Sequence, residues 1–214
     1  NYSLPFQGRW TVVNGGVDKD ASHSWGIPTQ RYAYDFVIMD EEGGTCSGDP
    51  TVLENYYCYG KEVLAPADGV VVDAKDHYKD SRTYGNGKTD PFIKDIRGNY
   101  IVIKHGSKEY SVIAHLLPHS LKVKIGDKVK RGEIIAKCGN SGNTTEPHIH
   151  FQIQDGRSFL ASAGLPICFK DIQQEPIQNY HKFDPRPLPK PLEEGSPFIQ
   201  RGNLVGNIIG MAKR

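Results

Sequence analysis

The sequence predicts a mainly β fold with little helix, and three observations carry that expectation. Short runs rich in Val, Ile, Tyr and Phe recur along the chain, bounded by Gly, Pro, Asn and Asp, as strands and turns are. No stretch shows the sustained 3.6-residue apolar period of a long amphipathic helix. Internal repeats and heptads are also missing. The length of 214 residues suffices to bury a full hydrophobic core, so one domain over 1–214 is expected. Lys and Arg number 26 against 25 Asp and Glu, a net charge of +1 that gives no electrostatic bias toward nucleic acid or an anionic membrane. No apolar run approaches the roughly 20 residues needed to span a bilayer. The chain begins at Asn1 without the basic and apolar regions of a signal peptide, so an upstream signal or anchor is expected to have been removed.

Taken in order, Arg9 to Asn14 reads as an edge strand with Trp10 in the core, ending at the turn Gly15-Gly16. A polar loop holding His23 and Trp25 follows. Tyr32 to Met39 is so apolar that both faces should be covered, and Asp35 is its one group expected to be charged at neutral pH. Burying that carboxylate unpaired would cost several kcal/mol, so it needs a metal, an Arg or Lys, or a cluster of backbone N–H donors. Val63 to Asp76 is a strand with a Pro/Gly-kinked entry, and His77 to Arg97 is a long surface loop of the kind that often forms a lid. Asn99 to Lys104 and Glu109 to Leu116 form a hairpin, with His115 at its far end. Turn signals at Gly126-Asp127 and Arg131-Gly132 precede a strand at Glu133 to Lys137. Leu165 to Ile172 is read as a further strand, Pro176 to Pro197 as an extended surface strap, and Asn203 to Ile209 as a last strand.

The segment Glu146 to Ile153 is the candidate working centre. Residues two apart on a strand share a face, so His148 and His150 should stand side by side while Ile149, Phe151 and Ile153 face the core. The plainer alternative is a surface strand whose polar face carries two histidines. Among the four cysteines, Cys46 and Cys58 are the favoured disulfide pair, closing a small loop, whereas Cys138 and Cys168 sit among apolar residues as buried thiols. The absence of C-x-x-C argues against a structural Cys-zinc site.

A buried-strand aspartate, a loop histidine before it, a strand-end histidine and a closing H-x-H fit one chemistry: three ligands on a catalytic zinc with an open position, and two further imidazoles for proton work. In that order the chain resembles the lysostaphin-type (LytM-like) zinc peptidoglycan endopeptidases over roughly residues 20 to 155. The resemblance is carried by Tyr34-Asp35-Phe36, Ala65-Pro66-Ala67-Asp68-Gly69, Gly98-Asn99-Tyr100, Ala114-His115-Leu116, Gly126-Asp127, Gly139-Asn140-Ser141-Gly142 and Pro147-His148-Ile149-His150-Phe151. It implies a compact antiparallel β-sheet domain with a loop-flanked groove. It also implies that Asp35 and His150 bind one zinc ion, that an upstream histidine is the third ligand, and that His115 and His148 form the catalytic pair. The family pattern H-x-x-x-D would place the first ligand at 31, yet Arg31 stands there. The nearest upstream histidine is His23, with eleven residues between it and Asp35, and a loop from Ser24 to Gln30 could fold it back. His105 and His181 are more distant candidates.

The resemblance further implies a metal-activated water attacking peptide bonds of cell-wall peptidoglycan, outside the cytoplasm; a monomer is expected, and the balanced charge suggests no nucleic-acid partner. Three other readings differ in what they require. A catalytically degenerate relative acting as a wall-binding or activator module is favoured only by the displaced first ligand. A biotinyl- or lipoyl-type carrier is suggested by APADGVVV and VKIGDKVKRGEIIAK, but the modified lysine on a hairpin between two such segments is missing. A sugar- or peptide-binding sheet would hold no metal.

Overall fold

A computed structural model describes residues 1–208. Among these the strands are β1 (Arg9–Asn14), β2 (Tyr34–Val37), β3 (Glu62–Leu64), β4 (Gly69–Lys75), β5 (Asn99–Gly106), β6 (Glu109–Leu116), β7 (Lys128–Val129), β8 (Ile134–Lys137), β9 (Ile149–Gln154), β10 (Gly164–Leu165), β11 (Ile172–Pro176) and β12 (Asn203–Asn207). The helical content of the described residues is two single turns of 3-10 helix, Leu53–Asn55 and Tyr180–Lys182. The fold is therefore mainly β, as the sequence leads one to expect. Nine strands of the large sheet run in the order β11-β12-β1-β2-β9-β6-β5-β4-β7, with β10 on β9, while β3 and β8 form a separate pair. Every strand pairing is antiparallel.

The core fixes which side chains face the other way. Tyr34 and Phe36 of β2, Ile149, Phe151 and Ile153 of β9, and Ile101, Ile103 and Ile113 of the β5–β6 hairpin all join Trp10 and Phe6 in one buried cluster. Alternation then turns Asp35 and His150 to the opposite face. A one-residue slip of β9 would reverse this. Each of its three apolar side chains contributes roughly 1.5–3 kcal/mol of burial, so the slip would cost on the order of 5–9 kcal/mol.

Several expectations need correction. β1 is not an edge strand: it lies between β12 and β2, because the C-terminal segment folds back and adds β12 and β11 outside it. Leu165 to Ile172 is not one strand; it holds only the end of β10 and the start of β11, with Pro166 unable to donate to a ladder and Asp171 in the left-handed region at φ 58°. Cys46 and Cys58 do not pair. All four cysteines are free thiols, and the fully buried Cys58 Sγ donates to the Pro147 carbonyl at 3.0 Å. Cys138 is buried as expected, whereas Cys168 is only half-buried. The strap after Pro176 is not uniformly extended, since Asn179 at φ 57° turns it into the second 3-10 turn. Ile209, the end of the expected last strand, lies outside the described residues.

Beyond that turn, Asp184 ties the strap to the body. It accepts from Arg201 Nη1 at 2.8 Å, from Arg186 Nη2 at 2.6 Å and from Arg186 Nε at 2.9 Å, and Arg201 is 1% exposed. Burial pushes the Asp184 carboxyl up, but the bonds from Arg186 and Arg201 prevail and lower it from 3.8 to about 2. A depressed folded pKa means stabilisation that is present above about pH 3.8 and is lost as pH falls through about 2, amounting to about 2 kcal/mol. Urea unfolding of the wild type and Asp184→Asn between pH 5 and 2 should therefore show the stability gap between them narrowing by about that amount; a gap independent of pH would refute this role.

Candidate active site

Four adjacent strands place one side chain each in a single rung. Asn14 of β1 faces Asp35 of β2, Asp35 faces His150 of β9, and His150 faces Ala114 of β6. Ala114 is small and leaves room above the rung. Regular alternation would send the next residue, His115, to the other face, but its φ of 62° breaks the period. Both Ala114 and His115 consequently line the same cavity, of about 500 Å³.

Around that cavity the structure brings together all five residues singled out in the sequence: His23, Asp35, His115, His148 and His150. His150 Nδ1 is 2.9 Å from Asp35 Oδ1, His148 Nε2 is 3.7 Å from the same oxygen, and His23 Nε2 is 3.8 Å from Oδ2. The His115 and His148 rings lie 4.6 Å apart and those of His115 and His150 5.7 Å apart. His23 is the loosest member, its side chain 58% exposed. His105 belongs elsewhere, bonded to the Asp68 carbonyl and Ser111 Oγ at 2.8 Å each. His77, His119 and His181 are exposed and do not line the cavity.

The hydrogen-bond partners fix which ring nitrogen carries a proton. A backbone carbonyl only accepts, so His115 Nδ1–H donates to Ser141 O and His148 Nδ1–H to Glu146 O, both at 2.8 Å. Each ring in its neutral form then presents a bare Nε2. His150 is set the opposite way by a buried chain of amides. Gly156 O accepts from Gln154 Nε2 at 2.7 Å, Gln154 Oε1 from Gln152 Nε2 at 2.8 Å, and Gln152 Oε1 therefore faces His150 Nε2 at 2.9 Å as an acceptor. That holds one proton on Nε2, and the hydrogen bond from Nδ1 to the ionised Asp35 takes a second, so the metal-free ring pairs with Asp35 as an imidazolium.

Charge follows the same geometry. Burial pushes Asp35 up, but the hydrogen bond and charge of His150, helped by His148 and His23, hold it well below the ordinary carboxylate range. Burial pushes His150 down, and its hydrogen bond and ion pairing with Asp35 more than reverse this. His115 is pushed well down by burial and by the neighbouring His148 and His150, so its ring is neutral at neutral pH. His23 is lowered chiefly by burial, with Asp35 opposing and Arg186 assisting.

The Gly139-to-Pro147 loop supplies the oxygens that orient both rings. Ser141 Oγ donates to Leu116 O at 2.7 Å and accepts from Asn99 N at 2.9 Å, clamping the loop onto the ends of β5 and β6. Gly98 and Gly142, at φ 61° and 87°, permit this approach: a Cβ on Gly98 would lie 2.2 Å from the Ser141 carbonyl carbon. On the other flank, Arg31 does not face the site. Its Nε donates to Trp25 O at 3.1 Å and its guanidinium lies 5.5 Å from the Trp25 ring, bracing the 24–30 loop. Successive turns in that loop and the bond from His23 N to Asn14 Oδ1, 2.9 Å, fold His23 back toward Asp35.

Among the described residues no group of three or more His, Cys, Asp and Glu side chains is already arranged to hold a metal ion. The donor set suits one nonetheless. N and O ligands of a tetrahedral zinc, bound at about 2.0–2.2 Å, stand roughly 3.3 Å apart. The contacts of His150 Nδ1 (2.9 Å) and His23 Nε2 (3.8 Å) with Asp35 bracket that separation. With Nε2–H held by Gln152, a cation displacing the Nδ1 proton would find the His150 lone pair and the ionised Asp35 carboxylate side by side.

Reading the sequence missed four participants. Gln152 and Gln154 share the His150 face and could have been found by the same two-residue period; Asn14 and Arg186 carry no local signal, since only the β1–β2 register and the path of the strap bring them in.

The profile of Peptidase family M23 matches residues 55–161, half of the chain. His115, His148 and His150 lie within that match, and His23 and Asp35 precede it. The chain is 35% identical over 121 residues to Peptidoglycan DD-endopeptidase ShyA of Vibrio cholerae, covering 56% of this chain and 24% of that protein. Glycyl-glycine endopeptidase ALE-1 of Staphylococcus capitis is 28% identical over 165 residues, covering 72% of this chain and 40% of its own length. The chain thus spans less than half the length of these curated relatives. Among solved structures, the catalytic domain of the prophage-encoded M23 protein EnpA from Enterococcus faecalis aligns with 77% of this chain and 93% of its own, at 16% identity and a TM-score of 0.48.

Proposed function

The chain belongs to peptidase family M23, and from that premise we propose that it is a zinc-dependent endopeptidase cutting peptide bonds of bacterial cell-wall peptidoglycan outside the cytoplasm. Asp35, His150 and His23 would hold the metal. His115 and His148 would move protons. The observation that carries this reading is the pair of imidazoles 4.6 Å apart, each with Nδ1 tied to a backbone carbonyl, beside the Asp35–His150 contact in one cavity.

When bound, zinc supplies Lewis-acid polarisation of the scissile carbonyl and lowers the pKa of an attacking water toward neutrality. The chain's own part is orientation and proton transfer. His115 is held neutral, so its Nε2 is ready to accept a proton at physiological pH. His148, tied likewise by Nδ1 to a backbone carbonyl, offers in its neutral form the Nε2 of a ring 4.6 Å away as the second acceptor. A ring that has taken a proton becomes a donor at that same atom, able to pass it to the departing amine or to hydrogen-bond the developing oxyanion. Asp35 keeps its negative charge throughout. Ala114 leaves the space in which a peptide carbonyl can approach these groups.

Removal of metal by a chelator should abolish release of soluble peptides from purified peptidoglycan sacculi, and addition of one equivalent of zinc should restore it. Release that is indifferent to the chelator would overturn the metal-dependent mechanism. Zinc bound tightly with no release would favour the wall-binding or activator reading instead.

A further inference from the structure

We propose that Arg186 is a substrate-carboxylate anchor at the edge of the active-site cavity, a role that rests on the peptidase reading above. Arg186 lies beyond residue 161, where the family match ends, and reaches the cavity by way of the strap. Its place there is built. Asp184 grips one edge of the guanidinium through Nε at 2.9 Å and Nη2 at 2.6 Å, and the Val13 carbonyl accepts from Nη2 at 2.8 Å. Val13 sits at the β1–β2 register shift, next to Asn14, the strand partner of Asp35. That bulge frees the carbonyl and fixes the arginine on the His23 side of the cavity.

Two features point from this anchorage to an anionic ligand. Asp184 is also bonded to Arg201, so the cluster of two guanidinium groups and one carboxylate has a net charge of +1, beyond which Arg186 feels the Asp35 carboxylate in the same cavity. Arg201 is spent in the interior at 1% side-chain exposure, which leaves that charge to Arg186 at 43%. Among the described residues Arg186 Nη1 makes no hydrogen bond, although Nε and Nη2 make several. With Nε and Nη2 taken, the pre-oriented Nη1 loses little rotamer freedom on binding and can donate a charge-assisted hydrogen bond to one oxygen of a carboxylate. Peptides presented to this cavity carry such groups in two forms, a C-terminal α-carboxylate and an acidic side chain.

Calorimetry on the metal-loaded full chain separates these possibilities, using a cross-linked stem peptide whose cleavable amide is replaced by a methyleneamine. Three forms are compared: free acid, C-terminal amide, and side-chain amide. One of the two amidated forms should bind about tenfold more weakly than the free acid, and which one identifies the carboxylate engaged. Arg186→Gln should erase the difference by weakening the acid form alone, while Arg186→Lys should keep part of it. Equal affinity for all three forms, including no binding by any, or a difference that survives in Arg186→Gln, overturns the proposal. Hydrolysis of the unmodified peptide is followed in parallel: its absence would sink the peptidase reading, yet the acid-against-amide comparison would still decide the role of Arg186.

Discussion

An Asp35→Asn variant is expected to lose zinc and, with it, at least a hundredfold of the peptidoglycan-cleaving rate. Asparagine keeps the shape of the side chain and one carbonyl oxygen, so the rung from Asn14 to Ala114 should survive. What disappears is the charge. Asp35 is ionised against the cost of burial because three imidazoles surround it, and that same charge would draw a divalent cation to them. Loss of a partner outside the ligand shell already costs metal sites 10–100-fold in affinity, so neutralising a ligand should exceed about a hundredfold. Thermal unfolding with and without zinc gives a readout independent of turnover. Zinc at 100 times its Kd stabilises the wild type by about 2.7 kcal/mol and raises Tm accordingly, and this shift should vanish in the variant, whose zinc-free Tm also falls because the Asp35–His150 ion pair is lost. His150→Ala and His23→Ala should lose the metal as well. If Asp35→Asn bound zinc with wild-type affinity, the proposed ligand set would be wrong; if only His23→Ala did, the exposed loop histidine would drop out and two ligands would remain.

Much of the fold was legible because alternation and turn chemistry are local. β1, the β5–β6 hairpin and β9 appear close to where the two-residue period and the flanking Gly, Asn and Pro place them. The errors have a common cause. Whether β1 is an edge depends on β12, almost 200 residues away, and nothing in Arg9 to Asn14 encodes the neighbour's arrival. The break between β10 and β11 depends on backbone at Pro166 and Asp171 that the apolar run around them conceals. In the site, the shared face of His148 and His150 was readable from spacing, and His115 was brought in by the resemblance, but its left-handed φ, which turns it onto the Ala114 face, was not legible. His23 came from the resemblance, which calls for an upstream histidine: Arg31 stands where the family pattern puts it, and His23 is the nearest one before it. Here the family match helps little, because it starts after both His23 and Asp35.

His115→Asn is expected to retain zinc and to lose about 10²–10⁴ in rate, the amount that a positioned acid–base group contributes. The choice of asparagine follows from the backbone. At φ 62° an alanine meets the penalty of the left-handed region, of order 1 kcal/mol, whereas asparagine tolerates it, so a lost rate in His115→Asn reports the imidazole and not a distorted strand end. His115→Ala should show the same loss with a lower Tm. Zinc should stay because His115 bonds to the Ser141 carbonyl, not to Asp35. His148→Ala should resemble it in rate, again with zinc retained. The double variant then tells whether the two rings form one device. With centroids 4.6 Å apart and both rings lining one cavity, they would handle one proton inventory in succession, so removing the second ring should cost much less than removing the first. Losses that multiply would mean that the two histidines act independently. Zinc loss in His115→Asn would move that residue from proton transfer to metal binding.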